Sequence, residues 1–143
     1  MKFFYYIKRL ISIPTIEKRL LFMAFFLSII AKFMVQLLPL KYYLFLLNAK
    51  PKFLISESKK SLAIRLSRKT MQRIDRFGIF KLSCLMKSVI FKILLGNLGV
   101  ESYVALGVNN SHPRLLRAHA FVKVDNKVVY QGNKNFTEVY SVE

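Results

Sequence analysis

The architecture of this chain is organised around the segment Lys81-Leu82-Ser83-Cys84-Leu85-Met86-Lys87-Ser88-Val89-Ile90-Phe91-Lys92-Ile93-Leu94-Leu95-Gly96. Ser83 is a good N-cap residue, because its hydroxyl can accept a hydrogen bond from an N–H of the first helical turn. Gly96 is a good stop, because glycine readily adopts the left-handed conformation that follows a helix. The segment therefore predicts a helix over residues 84–96 that begins with a thiol.

Cys84 and His119 are the residues that favour a covalent mechanism. A thiol in the first turn of a helix lies near the positive end of the helix dipole, which stabilises the thiolate. His119 lies in Ala118-His119-Ala120-Phe121-Val122-Lys123-Val124, whose composition predicts a strand. A cysteine at a helix start with a histidine on a later strand is typical of a nucleophile and its base. A structural thiol beside an incidental histidine is the alternative that the pattern leaves open.

Length and composition indicate one domain without a cofactor. A chain of 143 residues is long enough to bury roughly two-thirds of its unfolded surface. A single cysteine excludes an internal disulfide and favours a reducing compartment, which we take to be the cytoplasm. The two histidines have no zinc-site spacing, and no Gly-rich phosphate loop is present, so we expect neither a metal nor a cofactor.

The charge of the chain predicts an anionic partner. Lysine and arginine number 24 against 7 acidic residues, which gives a formal net charge of +17. Such a surface attracts an acidic peptide, an acidic protein or an anionic membrane. Solvated helix faces of a lysine-rich protein are the alternative explanation. No RNA-binding or DNA-binding motif accompanies the charge, so we do not expect a nucleic-acid partner.

The N-terminal third contains a long apolar segment, residues 20–40, which Lys32 and Gln36 interrupt. Pro14 predicts the start of a helix before this segment, and Pro39 predicts its end. A membrane-spanning helix needs about 20 apolar residues, and a charge near its centre costs roughly 3 kcal/mol on insertion scales. We therefore favour a buried core helix, ahead of contact with the membrane surface and of a true span.

The remaining pattern predicts an α+β fold, with helices first and a small antiparallel sheet after them. Residues 57–76 predict a basic amphipathic helix, whose apolar side consists of Leu62, Ile64, Leu66, Met71 and Ile74. Alternating apolar residues predict strands over residues 100–108, 118–124, 128–131 and 137–140, the middle two joined as a hairpin at Asp125-Asn126. We expect an N-terminal apolar helical region over residues 1–58 and a core over residues 59–143, packed as one compact domain.

Three motifs, in their order and spacing, resemble a known family. They are Cys84-Leu85 at a helix start, Gly99-Val100-Glu101 before a strand that ends Leu106-Gly107-Val108, and Ala118-His119-Ala120-Phe121-Val122. Over residues 15–135 the chain resembles the leader peptidases of lasso-peptide biosynthesis, the "B-two" maturation proteins. These proteins have a transglutaminase-like, papain-related cysteine-protease fold. The resemblance implies such a core over residues 59–143, with the nucleophile at a helix N-terminus.

The resemblance implies roles for three residues. Cys84 would be the nucleophile and His119 the general base, and hydrolysis would remove the leader from a ribosomally made precursor. The family has an aspartate about twelve residues after the histidine, where this chain has Gln131. Gln131 or Asn133 could orient the imidazole by accepting its N–H, as an amide does in papain-like triads, but neither has a carboxylate's charge. An inactive relative, or transfer to an amine instead of water, stays open.

The turn of the predicted hairpin sets the face on which Gln131 lies. A three-residue turn over residues 125–127 would put Gln131 on the face of His119, and a two-residue turn would put it on the opposite face. Asp125 lies in the turn itself, six residues from His119 and roughly 20 Å away along an extended strand. We therefore do not expect Asp125 to replace the missing aspartate.

The resemblance also implies partners. Such proteases commonly work with a leader-binding domain, and residues 1–50 form an apolar helical pattern instead of a winged helix. We therefore expect a separate leader-binding protein, together with a precursor peptide and an ATP-dependent lasso cyclase. The alternative is a non-enzymatic or inactive basic partner that is associated with the inner face of the membrane.

Overall fold

Helices precede strands in this chain. The computed structural model describes residues 14–37, 42, 50–77, 81–109, 117–131 and 137–142. In these residues the elements are α1 (Thr15–Leu37), α2 (Glu57–Phe77), α3 (Cys84–Asn97), β1 (Tyr103–Asn109), β2 (Arg117–Val124), β3 (Lys127–Gln131) and β4 (Thr137–Val142). The predicted α+β class is confirmed, whereas the predicted boundary between residues 58 and 59 stays a prediction.

The start of α3 is the one that the sequence predicts. Ser83 is the N-cap, and its Oγ accepts a hydrogen bond from the Met86 N–H at 3.4 Å. The helix then lies between the sheet and the other two helices. Most of its apolar side chains are buried, foremost Ile90, Phe91, Leu94 and Leu95, which are at most 1% exposed. α3 is therefore the central element of the core.

The end of α3 differs from the prediction. Gly96 lies inside the helix, and Gly99 adopts the left-handed conformation with φ +79°. The Gly99 N–H donates to the Gly96 carbonyl at 3.1 Å, and the Val100 N–H donates to the Leu95 carbonyl at 2.9 Å. These two bonds form a Schellman motif, which needs its glycine just after the helix. Gly99 therefore takes the role predicted for Gly96.

The four described strands form one antiparallel sheet in the order β3-β2-β1-β4. Asp125 and Asn126 close the β2–β3 hairpin with φ +48° and +63°, which is the two-residue turn with both central residues left-handed. Alternate residues of β1 and β2 are buried in the core with α3, namely Val104, Ala120, Val122 and Val124. The sheet thus covers one side of α3.

The helix α1 packs one side against the core. Leu20, Leu21 and Ala24 are buried there. The Glu17 carboxylate, also buried, accepts from Lys69 Nζ at 3.0 Å and from Arg73 Nη1 at 2.8 Å. Burial raises the pKa of Glu17, but the two cations of α2 outweigh it and lower that pKa below its ordinary value. No helix among the described residues is long and apolar enough to cross a bilayer.

The helix α2 packs most of its predicted apolar side on the core, with Ile74 buried and Ile64 and Leu66 partly buried. Met71 is buried as predicted, but Leu62 is 51% exposed, so its prediction is wrong. Position 63 is the one in phase with the other inward positions of a 3.6-residue period. The buried residues are Ala63, Ser67, Thr70, Met71 and Ile74.

Candidate active site

A cleft of about 720 Å³ lies between α2, the start of α3 and the β2–β3 hairpin. Cys84 from α3 and His119 from β2 both line it. The other lining residues are Arg68, Gln72, Asp75, Leu82, Lys87, Ala120, Val128, Val129 and Tyr130. Two of the three predicted site residues therefore share one cavity, although 34 positions of sequence lie between them.

Cys84 is the first residue of α3 and is half-buried. Ser83 and Met86 cap this end of the helix through a side-chain hydrogen bond. The first turn of any α-helix has N–H groups without intrahelical acceptors, and these concentrate positive potential at its start. The thiol is thus accessible from the cleft and lies where a developing anion is stabilised.

His119 lies in β2, opposite Gly107 of β1, and is half-buried at the cleft wall. Burial lowers the pKa of its imidazole below the ordinary value. A histidine with a lowered pKa is mostly neutral near pH 7, so one of its ring nitrogens is available as a proton acceptor. That protonation state suits a general base for a thiol.

Gln131 is the last residue of β3, and a bulge sets its position. The turn has two residues, but the pairing shifts between Val122 and Lys123, so that β3 carries one extra residue. Gln131 consequently lies opposite Phe121, two positions along β2 from His119. A two-residue turn alone would place positions 119 and 131 on opposite faces of the sheet, and the extra residue of the bulge cancels that shift. The side chain of Gln131 is outside the described residues, and its role stays a prediction.

The other residues weighed for the site are separate from it or not described. Asp125 lies in the hairpin turn, where its carboxylate accepts from Lys60 Nζ of α2 at 2.9 Å. This position in the turn is the one that the sequence predicts for Asp125, and its carboxylate forms an ion pair with Lys60. Asn133 lies outside the described residues, and so does the second histidine of the chain, His112.

Tyr130 is a cleft residue that the sequence did not single out. Its ring stacks on Phe91 of α3, with centroids 4.5 Å apart and an interplanar angle of 17°. Burial raises the pKa of Tyr130 to about 12, and the negative charge of Asp75 adds to the rise. The phenol therefore stays protonated and can donate a hydrogen bond. The sequence signal that could have identified Tyr130 was its position beside Gln131 in a predicted strand.

The helix α2 forms the third wall of the cleft, and two contacts hold it there. The Arg68 guanidinium donates to the Val129 carbonyl at 2.6 Å, at the bulge in β3. The Asp75 carboxylate pairs with Lys87 Nζ of α3 at 2.9 Å, one turn after the thiol. Both contacts join different elements of the fold, so the sequence showed the charged side chains but not their partners.

The donor groups of the described residues do not form a metal site. No three histidine, cysteine, aspartate or glutamate side chains in that part of the chain come together as ligands. The chemistry that the lining residues can supply is a thiol nucleophile, a neutral imidazole base and a phenol donor.

Comparison with known proteins identifies the family. A family model described as the transglutaminase-like superfamily matches residues 46–141. A search of curated proteins and a search of solved structures found no significant match. The matched region covers more than half of the chain and contains both Cys84 and His119. The chain therefore belongs to the transglutaminase-like superfamily, which includes cysteine peptidases.

Proposed function

We propose that this protein is a cysteine peptidase that removes the leader from a ribosomally made lasso-peptide precursor. The reaction type is inferred mainly from one observation: Cys84, at the start of α3, and His119 line one cleft. Membership of a superfamily that includes cysteine peptidases supports it. The lasso precursor as substrate is supported by the motif resemblance, above all by the run Ala118-His119-Ala120-Phe121-Val122.

The proposed mechanism uses these groups in two steps. Cys84 Sγ attacks the scissile carbonyl carbon while its proton moves to His119, and the backbone N–H of Cys84 stabilises the oxyanion. The C–N bond then breaks, and His119 gives its proton to the leaving amine. In the second step His119 takes a proton from water, which attacks the thioester and releases the carboxylic acid and the thiol.

Gln131 is proposed to orient the imidazole of His119 by accepting its N–H. An amide can hold the tautomer, but it lacks the negative charge that stabilises the imidazolium. We therefore expect Gln131→Asp to raise the rate of cleavage and Gln131→Ala to lower it. The matched control is Gln72→Asp, which adds the same charge to a residue of α2 that lines the cleft. An equal response to both Asp variants would contradict the orienting role.

The proposed partners are those that the motif resemblance implies. A separate leader-binding protein would present the precursor, and an ATP-dependent cyclase would consume the freed core peptide. The net charge of +17 supports electrostatic docking of an acidic leader or partner, which weakens as salt rises.

The test of the proposed function is cleavage of a lasso-peptide precursor, sought as a short reading frame near this gene, in the presence of a leader-binding protein, followed by mass spectrometry. Cys84→Ala should lower the rate by about 10³-fold or more, and His119→Ala should do nearly the same. His112→Ala removes the only other histidine and should leave the rate unchanged. Cleavage of the precursor by Cys84→Ala would disprove the proposal. A product that gains an added amine instead of water would replace hydrolysis by transamidation.

A substrate-free test separates an active thiol from a structural one. Iodoacetamide should alkylate Cys84 faster in the wild type and in His112→Ala than in His119→Ala, because the imidazole accepts the thiol proton. Equal rates in all three proteins would instead support an inactive maturation partner.

A further inference from the structure

The helix α1 is apolar on much of its outward side as well as on the side that packs on the core. The side that packs on the core includes the buried Glu17 and Ser28 beside its buried apolar residues. The outward side carries Phe22, Phe26 and Phe33, which are 76%, 58% and 61% exposed. A surface helix normally presents charged residues to water, so this outward side is suited to an apolar surrounding.

The exposed side chains form a continuous stripe. Phe22, Phe26, Phe33 and Leu37 follow spacings of four, seven and four residues, which places them on one side of a helix. Ile30 is exposed beside them. At a rise of 1.5 Å per residue the stripe runs for about 22 Å. Contiguous exposed apolar surface of this kind marks an interaction site.

We propose that this stripe docks the protein on an anionic membrane surface, with α1 lying in the plane of the bilayer. Lys18, Arg19 and Lys32 are exposed on the same helix. By helical periodicity Lys18 and Lys32 lie along one border of the stripe, and Arg19 lies at its N-terminal end. The flexible stems of these side chains let the cations reach lipid headgroups while the rings enter the acyl boundary.

The charge of the chain favours a bilayer over a second copy of this chain as the partner that covers the stripe. The chain carries a net charge of +17, so two copies repel each other, whereas anionic headgroups attract each one. The inference is independent of the proposed peptidase activity, because none of the described side chains of α1 lines the cleft that contains Cys84.

The first experiment is flotation with vesicles of phosphatidylcholine alone and of phosphatidylcholine mixed with phosphatidylglycerol. We expect binding to the mixed vesicles, and a loss of about tenfold or more in Phe22→Ser/Phe33→Ser. The control Leu62→Ser/Phe77→Ser removes two exposed apolar side chains from α2 and should bind as the wild type does. Circular dichroism checks that both variants fold.

The second experiment locates the helix in the bilayer. The chain has no tryptophan, so Phe26→Trp and Phe77→Trp each introduce a single fluorophore. Mixed vesicles should shift the emission of Phe26→Trp to the blue, and brominated lipid should quench it, with neither effect in Phe77→Trp. Equal loss of flotation in both double variants, or no shift for Phe26→Trp, would overturn the proposal. A dimer in sedimentation velocity that Phe22→Ser/Phe33→Ser dissolves, without vesicle binding, would assign the stripe to a second copy.

Discussion

The helices α1 and α3 are both rich in apolar residues, yet the structure covers them differently. Phe91 of α3 is fully buried, whereas Phe33 of α1 is 61% exposed. The helix α3 has the sheet on one side and α1 and α2 on the other, whereas the main contacts of α1 among the described residues are with α2 and α3. Helices of similar composition therefore acquire different surroundings from their places in the layers. The difference shows that an apolar run by itself does not establish burial.

The largest expected effect tests this contrast directly. Phe91→Ala should destabilise the protein by about 3–5 kcal/mol, because it empties a packed site against the ring of Tyr130. Phe33→Ala should change the free energy of unfolding by less than about 0.5 kcal/mol, because its ring faces outward. Urea unfolding followed by circular dichroism measures both. Equal losses would show that α1 is covered as α3 is.

The second prediction concerns the polar contact that holds α1 against α2. Glu17→Gln should cost about 2 kcal/mol at pH 7, because Lys69 and Arg73 lose a buried anion. The control Glu57→Gln breaks an exposed pair with Lys60 and should cost less than about 0.5 kcal/mol. Urea unfolding at pH 7 compares the two variants, and equal costs would mean that the buried pair contributes no more than a surface one.

The pH dependence of that contact has a definite sign. The pKa of Glu17 is lowered in the folded protein, so the folded state favours the carboxylate more than the unfolded chain does. Its contribution is fully present above the unfolded value of about 4.3 and is lost as pH falls through the lowered pKa. The difference between wild type and Glu17→Gln should therefore shrink in acid. A difference that grows in acid would contradict this sign.

The third prediction compares the two glycines at the end of α3. A Cβ at position 99 would lie 2.7 Å from the Phe53 ring, and φ there is +79°. Gly99→Ala should therefore cost about 1–2 kcal/mol. Gly96 has no atom within 4 Å of such a Cβ and is helical, so Gly96→Ala should stabilise by about 0.5–1 kcal/mol. Thermal unfolding measures the stability of both variants. If Gly96→Ala were the less stable of the two, Gly96 would be the glycine that ends the helix.

The smallest expected effect is a shift in titration at the cleft beside α3. Burial lowers the pKa of His119, so its midpoint should lie below the ordinary value of about 6.5. Proton NMR of His112→Gln, which leaves one histidine, follows that imidazole alone. A midpoint above 6.5 would indicate a thiolate–imidazolium pair in the resting protein. If the midpoint of His119 lies below 6.5, the loss of kcat/KM on acidification should also occur below pH 6.5.

Local signals predicted much of the fold and part of the site. Ser83 marked the start of α3, Asp125-Asn126 marked the hairpin turn, and alternating residues marked the strands, because caps, turns and periodicity act over a few residues. The same locality explains the failures. Gly96 and Gly99 compete within one turn, and Leu62 lies one position out of phase with the buried stripe of α2.

The residues that frame the cleft depended on distant contacts. Arg68 meets the Val129 carbonyl 61 positions away, and Asp75 meets Lys87 between two helices. The bulge that sets the register of Gln131 is also a property of paired strands. No periodicity or cap in one segment encodes such pairings, so the third wall of the cleft and Tyr130 were not foreseen.

Sequence patterns alone established the α+β order, the cysteine at the start of α3 and the histidine on a strand, because these features depend on neighbours within one element. Tertiary packing established which apolar helix is covered, which cations meet Glu17, and that Cys84 and His119 line one cleft. Burial and proximity depend on all layers at once. An isolated segment cannot specify them, whatever its composition.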